Sequence, residues 1–69
     1  MEMIPVDSSN LESIGYDSES STLEIHFKQG SAYQYFDVPE RIYDQLLSAE
    51  SPGRFLSEQI KGVYRYSKV

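Results

Sequence analysis

The sequence predicts an α+β domain in which an antiparallel β-meander of three to four strands is packed on one face by two C-terminal helices. Apolar and polar residues alternate from Thr22 to Val38, which is typical of a β-hairpin. After Val38 the apolar spacing changes to about 3.6 residues, the period of a helix. The chain has 69 residues without a linker or an internal repeat, so residues 1–69 are expected to form one small domain.

The segment before the hairpin predicts two strands. Residues 1–7 place apolar side chains around Pro5, which fits an edge strand or an extended arm because proline cannot donate to a central ladder. Polar residues 8–10 favour a turn. Apolar and polar side chains alternate in residues 11–17, where Gly15 indicates a bulge or a close approach of another backbone.

The turn of the central hairpin decides which way its two tyrosines point. A two-residue loop would need a positive φ at both Gln29 and Gly30, which suits only the glycine. A three-residue loop over residues 28–30 needs a left-handed residue only at its last position, where Gly30 stands. The predicted register pairs Phe27 with Ser31, Ile25 with Tyr33 and Leu23 with Tyr35. Both tyrosines then lie on the apolar face of the sheet, and a slip by one residue would expose them.

The first predicted helix follows the hairpin directly. Pro39 suits the first turn of a helix, where its missing N–H group costs nothing. The apolar stripe of this helix consists of Ile42, Tyr43, Leu46 and Ala49. This stripe should cover the apolar face of the hairpin.

The second predicted helix begins after Ser51, a candidate N-cap, with Pro52 at its first position. Its apolar side consists of Phe55, Leu56, Gln59, Ile60 and Val63. Gly62 is a plausible stop for this helix. Residues 63–69 alternate weakly, which predicts either a short last strand or a frayed end.

The charge distribution limits the kind of partner. A net charge of −5 opposes indiscriminate binding to a polyanion. Residues 1–50 carry ten acidic side chains and two cationic ones, whereas residues 51–69 carry four cationic side chains and one acidic one. An anionic partner would therefore be tolerated best at the C-terminal quarter.

The residue types exclude several chemistries. The chain has no cysteine, and its one histidine, His26, falls on the polar face of a strand, so no metal site is predicted. Neither a nucleophile elbow nor a phosphate-binding glycine pattern occurs. We therefore predict a protein without enzymatic activity or cofactor. The N-terminus has no charged, apolar leader and no segment has membrane-spanning length, which predicts a soluble cytoplasmic protein without a membrane partner.

Tyr33 and Tyr35 allow two interpretations. Aromatic side chains on an exposed sheet can stack on successive nucleotide bases. Alternatively, both rings pack under the helices while their hydroxyl groups reach the boundary with water. The predicted turn register favours the second interpretation.

A small anion could be held at the start of the second helix. The segment offers the Ser51 cap, the close approach that Gly53 permits, and the guanidinium of Arg54, which can fork onto a phosphate. An ordinary capped helix with a solvated arginine would have the same sequence.

The C-terminal segment interleaves aromatic and cationic side chains, as single-strand binding proteins do. The aromatics are Tyr64 and Tyr66, on either side of Arg65, with Lys61 nearby. The alternative is a surface tail whose tyrosines close the edge of the core.

Several short motifs follow one another in a fixed order over residues 4–66. They are Val6-Asp7-Ser8-Ser9-Asn10, Ile14-Gly15-Tyr16-Asp17, Leu23 with Phe27 and Gly30, Tyr33-Gln34-Tyr35, Val38-Pro39, and Ser51-Pro52-Gly53-Arg54-Phe55 leading to Ile60 and Tyr64. In this order and spacing they resemble the KTSC domain. That family is named for its occurrence at the C-terminus of some lysyl-tRNA synthetases and is also found as a free-standing small bacterial protein. The resemblance implies RNA binding, with Tyr33 and Tyr35 matching the central motif of the family.

Three hypotheses about function follow. The first is a small non-catalytic module that binds RNA or a nucleotide-like ligand through the tyrosines and the basic C-terminal quarter. The second is a module for protein interaction or self-association, based on possible edge strands near Met3 and Tyr66 and on an exposed Phe36. The third is a receptor for a small phosphorylated ligand at residues 51–54.

Overall fold

The computed structural model describes residues 1–69 and places five antiparallel strands in one meander, in the order in which they occur in the chain. The strands are β1 (Met3–Pro5), β2 (Leu11–Asp17), β3 (Thr22–Phe27), β4 (Ala32–Tyr35) and β5 (Tyr66–Lys68). Between β4 and β5 lie α1 (Glu40–Ser48) and α2 (Pro52–Phe55), and α2 continues as a π-helical segment (Leu56–Ile60). The predicted α+β class is confirmed, and the sheet has one strand more than the upper number predicted.

The central hairpin has the register that its glycine predicts. The N–H group of Gly30 donates to the carbonyl of Phe27, and the N–H group of Phe27 donates to the carbonyl of Ser31, both over 2.9 Å. Gly30 has a φ of 106°, a conformation that residues with a Cβ rarely adopt. Ile25 therefore lies opposite Tyr33, and Leu23 lies opposite Tyr35.

Gly15 in β2 permits the close approach of the N-terminal arm. A Cβ at this position would lie 2.5 Å from Sδ of Met3 and 2.9 Å from the carbonyl oxygen of Glu2. The irregular register of β2 lies instead between Leu11 and Ser13. Of the two roles predicted for Gly15, the close approach is therefore the one that the structure shows.

The core lies between the sheet and the helices. Its ten buried apolar residues are Leu11, Ile14, Leu23, Ile25, Tyr35, Val38, Ile42, Leu46, Leu56 and Ile60. The Tyr16 ring stacks on Tyr43 of α1 with 5.1 Å between centroids, and the Tyr16 hydroxyl donates to the carbonyl of Val38 over 2.5 Å. These contacts attach α1 to the sheet, as the predicted apolar stripe requires.

The second helical segment departs from the predicted pattern at its end. Ser51 caps the helix as predicted, since its hydroxyl accepts a hydrogen bond from the N–H group of Arg54 over 3.3 Å. After Phe55 the hydrogen bonding widens, and the N–H of Lys61 donates to the carbonyl of Leu56, five residues back. The prediction that Val63 and Gln59 lie on the apolar side is wrong, because the segment ends at Ile60 and Val63 is 63% exposed.

Two structural findings concern membranes and metal ions. Neither helix combines the length and the apolar character that a crossing of the lipid bilayer requires. No group of three or more histidine, cysteine, aspartate or glutamate side chains is arranged to hold a metal ion.

Candidate aromatic groove

A groove opens on the helix side of the sheet, between the end of the π-helical segment and strands β4 and β5. It has a volume of about 490 Å³. Its walls are Phe27, Gln29, Tyr33, Tyr35, Lys61, Gly62 and Tyr66. We refer to this site as the aromatic groove.

The strand register places the tyrosines on one face. Tyr33 lies opposite Lys68 of β5, and Tyr35 lies opposite Tyr66. Side chains of directly opposed residues project from the same face of a sheet, so Tyr66 and Lys68 share the helix side with Tyr33 and Tyr35. The predicted inward orientation of both hairpin tyrosines is confirmed.

The three tyrosines differ in how far they are covered. Tyr35 is 3% exposed and belongs to the core, Tyr33 is half-buried, and Tyr66 is 61% exposed. Burial raises the pKa of Tyr35 above its ordinary value of 10.0, and the nearby hydroxyl groups of Tyr33 and Tyr66 raise it further. Tyr35 therefore supports the floor of the aromatic groove, while Tyr33 and Tyr66 have ring surface available to a ligand.

The rings form one connected cluster. Phe27 meets Tyr33 edge to face, with 5.7 Å between centroids and an interplanar angle of 87°. Tyr66 is tilted against both other tyrosines, at 5.8 Å from Tyr33 and 5.9 Å from Tyr35. Such separations are typical of favourable aromatic pairs, so the rings hold one another in place.

The charge around the aromatic groove is positive although the chain is acidic. Nζ of Lys61 lies 5.8 Å from the centroid of the Phe27 ring, within the range of a cation–π contact. Lys68 is exposed on the same face, and none of the groove walls carries a carboxylate. The site can therefore accept an anionic ligand that also has flat apolar surface.

Tyr64 and Arg65 lie beside the aromatic groove and do not form its walls. Nη2 of Arg65 lies 2.8 Å from Oδ2 of Asp37, and its guanidinium lies 5.6 Å from the ring centroid of Phe36. The prediction that Phe36 is exposed is wrong, because the ring is half-buried under the Arg65 guanidinium. Arg65 and Asp37 are each 76% exposed in their side chains. The ion pair between Arg65 and Asp37 is therefore exposed to solvent.

Ser51, Gly53 and Arg54 form a separate cluster at the start of α2, and none of them is a wall of the aromatic groove. Nε of Arg54 lies 3.1 Å from Oε2 of Glu58, one turn further along the helical segment. A Cβ at Gly53 would lie 3.6 Å from the side chains of Asn10 and Ser8. The predicted site residues thus divide between two places on the surface.

His26 lies on the opposite face of the sheet, with Glu24 and Gln34. Its Nε2 is 2.6 Å from Oε2 of Glu24, and Nε2 of Gln34 donates to Oε1 of the same carboxylate over 2.8 Å. Two hydrogen bonds lower the pKa of Glu24 below its ordinary value of 4.5. The one from Gln34 has the largest effect, and the one from His26 comes next. The carboxylate is held by these partners as part of the sheet surface.

The sequence prediction missed three walls of the aromatic groove, Phe27, Gln29 and Gly62, of which Gly62 was predicted only as the end of a helix. The register itself contained the signal for Phe27, because the residue two positions after Ile25 projects from the same face as Tyr33. Gln29 belongs to the turn. Its side chain is oriented by a hydrogen bond that Nε2 donates to the Ser31 hydroxyl over 2.9 Å.

Comparisons with known proteins agree with one another. The family model described as the KTSC domain matches residues 7–66. A protein of Tsukamurella paurometabola is 43% identical over 63 residues, which cover 91% of this chain and 94% of that protein. A lysine–tRNA ligase of Trichormus variabilis is 31% identical over 67 residues, which cover 97% of this chain and 12% of the ligase. The crystal structure of a KTSC domain protein from Yersinia pestis has a TM-score of 0.92 and 46% identity, and it covers 99% of this chain and 96% of the other.

Proposed function

This chain belongs to the KTSC domain family, and from this premise we propose that it is a non-catalytic module that binds single-stranded RNA at the aromatic groove. The observation that carries the proposal is the position of Tyr33 and Tyr66 beside Lys61 and Lys68, among walls without a carboxylate. Bases stack on aromatic rings whatever their sequence, and cationic side chains follow the phosphates.

Two further observations support RNA as the ligand. One relative is a lysine–tRNA ligase, whose name includes an RNA. The four cationic side chains of residues 51–69 outnumber the single acidic one, so this part of the chain can approach a polyanion in spite of the overall charge of −5. The proposal includes a single domain over residues 1–69, built on one hydrophobic cluster, and a cytoplasmic setting.

The absence of catalysis is part of the proposal. Acid–base chemistry needs a titratable group within hydrogen-bond reach of the reacting atom. The one histidine is paired with Glu24 on the opposite face of the sheet, away from the aromatic groove. The groove walls carry no histidine, cysteine or carboxylate, and their rings, amide and ammonium group suit binding.

A titration with fluorescently labelled RNA tests the proposal. Single-stranded RNA should bind at low salt and weaken as salt is added, and a duplex of the same sequence should bind more weakly because its bases are already stacked. Amide shifts on RNA addition should centre on Tyr33, Lys61 and Tyr66. No binding at low salt, or shifts only outside the aromatic groove, would show that the proposal is wrong.

Self-association is a second candidate, favoured by the position of β5. This strand forms one edge of the sheet, and all three of its residues are exposed. An edge strand presents unpaired backbone groups to which another strand can be added. A molar mass that stays at the value of the monomer over a wide concentration range would exclude self-association.

Binding of a small phosphorylated ligand at Ser51, Gly53 and Arg54 stays a prediction. Inorganic phosphate and a nucleotide, added separately, test it in the same amide-shift experiment. Shifts confined to the start of α2 would support it, and shifts confined to the aromatic groove would exclude it.

A further inference from the structure

Two neighbouring depressions extend the aromatic groove at its two ends. The Arg65 depression has Phe36, Gly62, Val63, Tyr64, Arg65 and Tyr66 as its walls and a volume of about 570 Å³. The Asn10 depression has Asn10, Phe27, Gln29 and Lys61 as its walls and a volume of about 260 Å³. Each of them therefore shares walls with the aromatic groove.

The shared walls place the three depressions next to one another. Phe27, Gln29 and Lys61 border both the aromatic groove and the Asn10 depression. Gly62 and Tyr66 border both the aromatic groove and the Arg65 depression. Gly62 has a φ of 79°, and a Cβ built there would meet nothing within 4 Å, so the space directly beside it is open.

Each part of this surface has an aromatic ring and a cation nearby, and the Asn10 depression shares its ring and its cation with the aromatic groove. Phe27 and Lys61 stand in the Asn10 depression, the tyrosines fill the aromatic groove, and Tyr64 with Arg65 stands in the Arg65 depression. Proteins that bind single strands combine aromatic rings with a cationic groove along the backbone in this way. A single nucleotide would occupy only the aromatic groove, whose volume is in the range of ~300–1,000 Å³ that holds one small ligand.

Arg65 is able to exchange its partner for a phosphate. Its ion pair with Asp37 is exposed to water on both sides, and such pairs contribute little. A phosphate accepts the same forked hydrogen bonds from a guanidinium as a carboxylate does. Arg65 is therefore available as a cation in the Arg65 depression, at the other end of the surface from Lys61.

We infer that the ligand of this surface is an RNA strand of at least about three nucleotides, which runs from the Asn10 depression through the aromatic groove to the Arg65 depression. The inference rests on the proposed function and adds the length and the path of the ligand. A single nucleotide in the aromatic groove leaves Asn10 at one end and Tyr64 with Arg65 at the other end without a partner.

The test measures affinity against strand length. Labelled oligouridylates, from the mononucleotide to about the hexanucleotide, are titrated at low salt, since uridylates stack weakly on themselves. Affinity should rise roughly tenfold with each added nucleotide up to about three, because each stacked base adds a comparable factor, and should then level off. Amide shifts at Val63–Arg65 should appear with the trinucleotide and be absent with the mononucleotide.

A variant at Arg65 tests one end of the path. Arg65→Ala should reduce the gain in affinity between the shorter and the longer strands. Arg41→Ala, which removes an exposed cation on α1, should leave that gain intact. Equal affinity for the mononucleotide and the longer strands at the aromatic groove would overturn the inference and leave the proposed function standing. No binding of any strand would show that both are wrong.

Discussion

The helix-side face of the sheet has two regions with the same chemistry and different coverage. Tyr35 in β4 and Tyr66 in β5 lie directly opposite each other, yet their exposed fractions are 3% and 61%. Tyr35 lies among the buried residues of the core, whereas Tyr66 lies at the edge of the sheet, beside the end of the π-helical segment. The same side chain therefore serves packing in one region and offers a binding surface in the other.

The comparison indicates that the aromatic groove exists because the second helical segment ends at Ile60. The widened turn ends at Ile60, which is buried, and the chain then turns away at Gly62. The early ending leaves the rings of Tyr33 and Tyr66 open to a ligand.

The largest expected difference between the two regions is in stability. Tyr35→Ala should lower the free energy of unfolding by about 3–5 kcal/mol, because it removes a buried ring and leaves a cavity in a small core. Tyr66→Ala should lower it by less than about 1 kcal/mol, since most of that ring is already in water. Urea denaturation measures both values, and equal losses would contradict the division into two regions.

The sequence predicted the covered region well because its signals are local. Gly30 fixes the hairpin register through its positive φ, and Ser51 with Pro52 marks the start of the second helical segment. The inward orientation of Tyr35 follows from that register and needs no knowledge of the rest of the chain. Local spacing therefore determined the strands and the start of each helix.

The open region was harder to predict because it joins distant parts of the chain. Tyr66 meets Tyr35 only through the pairing of β4 with β5, and the alternation of residues 63–69 is too weak to specify a partner. The π-helical segment was missed as well, since its wider hydrogen bonding has no distinct sequence pattern and Val63 fits the usual helical spacing. Lys61 and Tyr66 were identified as candidates, but their place beside Phe27 required the structure.

The second difference is in ligand binding. Tyr66→Ala should weaken single-stranded RNA binding by roughly tenfold or more, which corresponds to the loss of one stacked base. Tyr66→Phe should keep most of the affinity, because the ring provides the stacking surface. If both variants bind like the wild type in a fluorescence titration, the open region is not the binding surface.

A third, smaller effect concerns the charge beside the rings. Lys61→Ala should reduce the slope of log affinity against log salt by about 0.7, the value for one phosphate contact on a single strand. Arg41→Ala is the matched control, because it removes the same charge from an exposed position on α1 and should leave the slope unchanged. Equal changes in the two variants would mean that only net charge matters and that the position of Lys61 does not.

The smallest effect is a pH dependence confined to the covered region. Because burial, with the neighbouring phenols, holds the pKa of Tyr35 above 10.0, the unfolded chain loses this proton first as the pH rises. The free energy of unfolding should therefore fall from about pH 10 upward, through the pKa of the folded protein. Tyr35→Phe removes the titrating group and should make that fall less steep.

Tyr43 makes a second contribution to this pH dependence. Burial, together with the charge of Asp44, also raises its pKa, so Tyr43→Phe should remove a second part of the alkaline slope, and the two variants combined should remove more than either alone. Urea denaturation at a series of alkaline pH values measures the slopes. An unchanged slope in Tyr35→Phe would mean that the Tyr35 hydroxyl reaches water in the folded protein, and the contrast with Tyr66 would then rest on the ring alone.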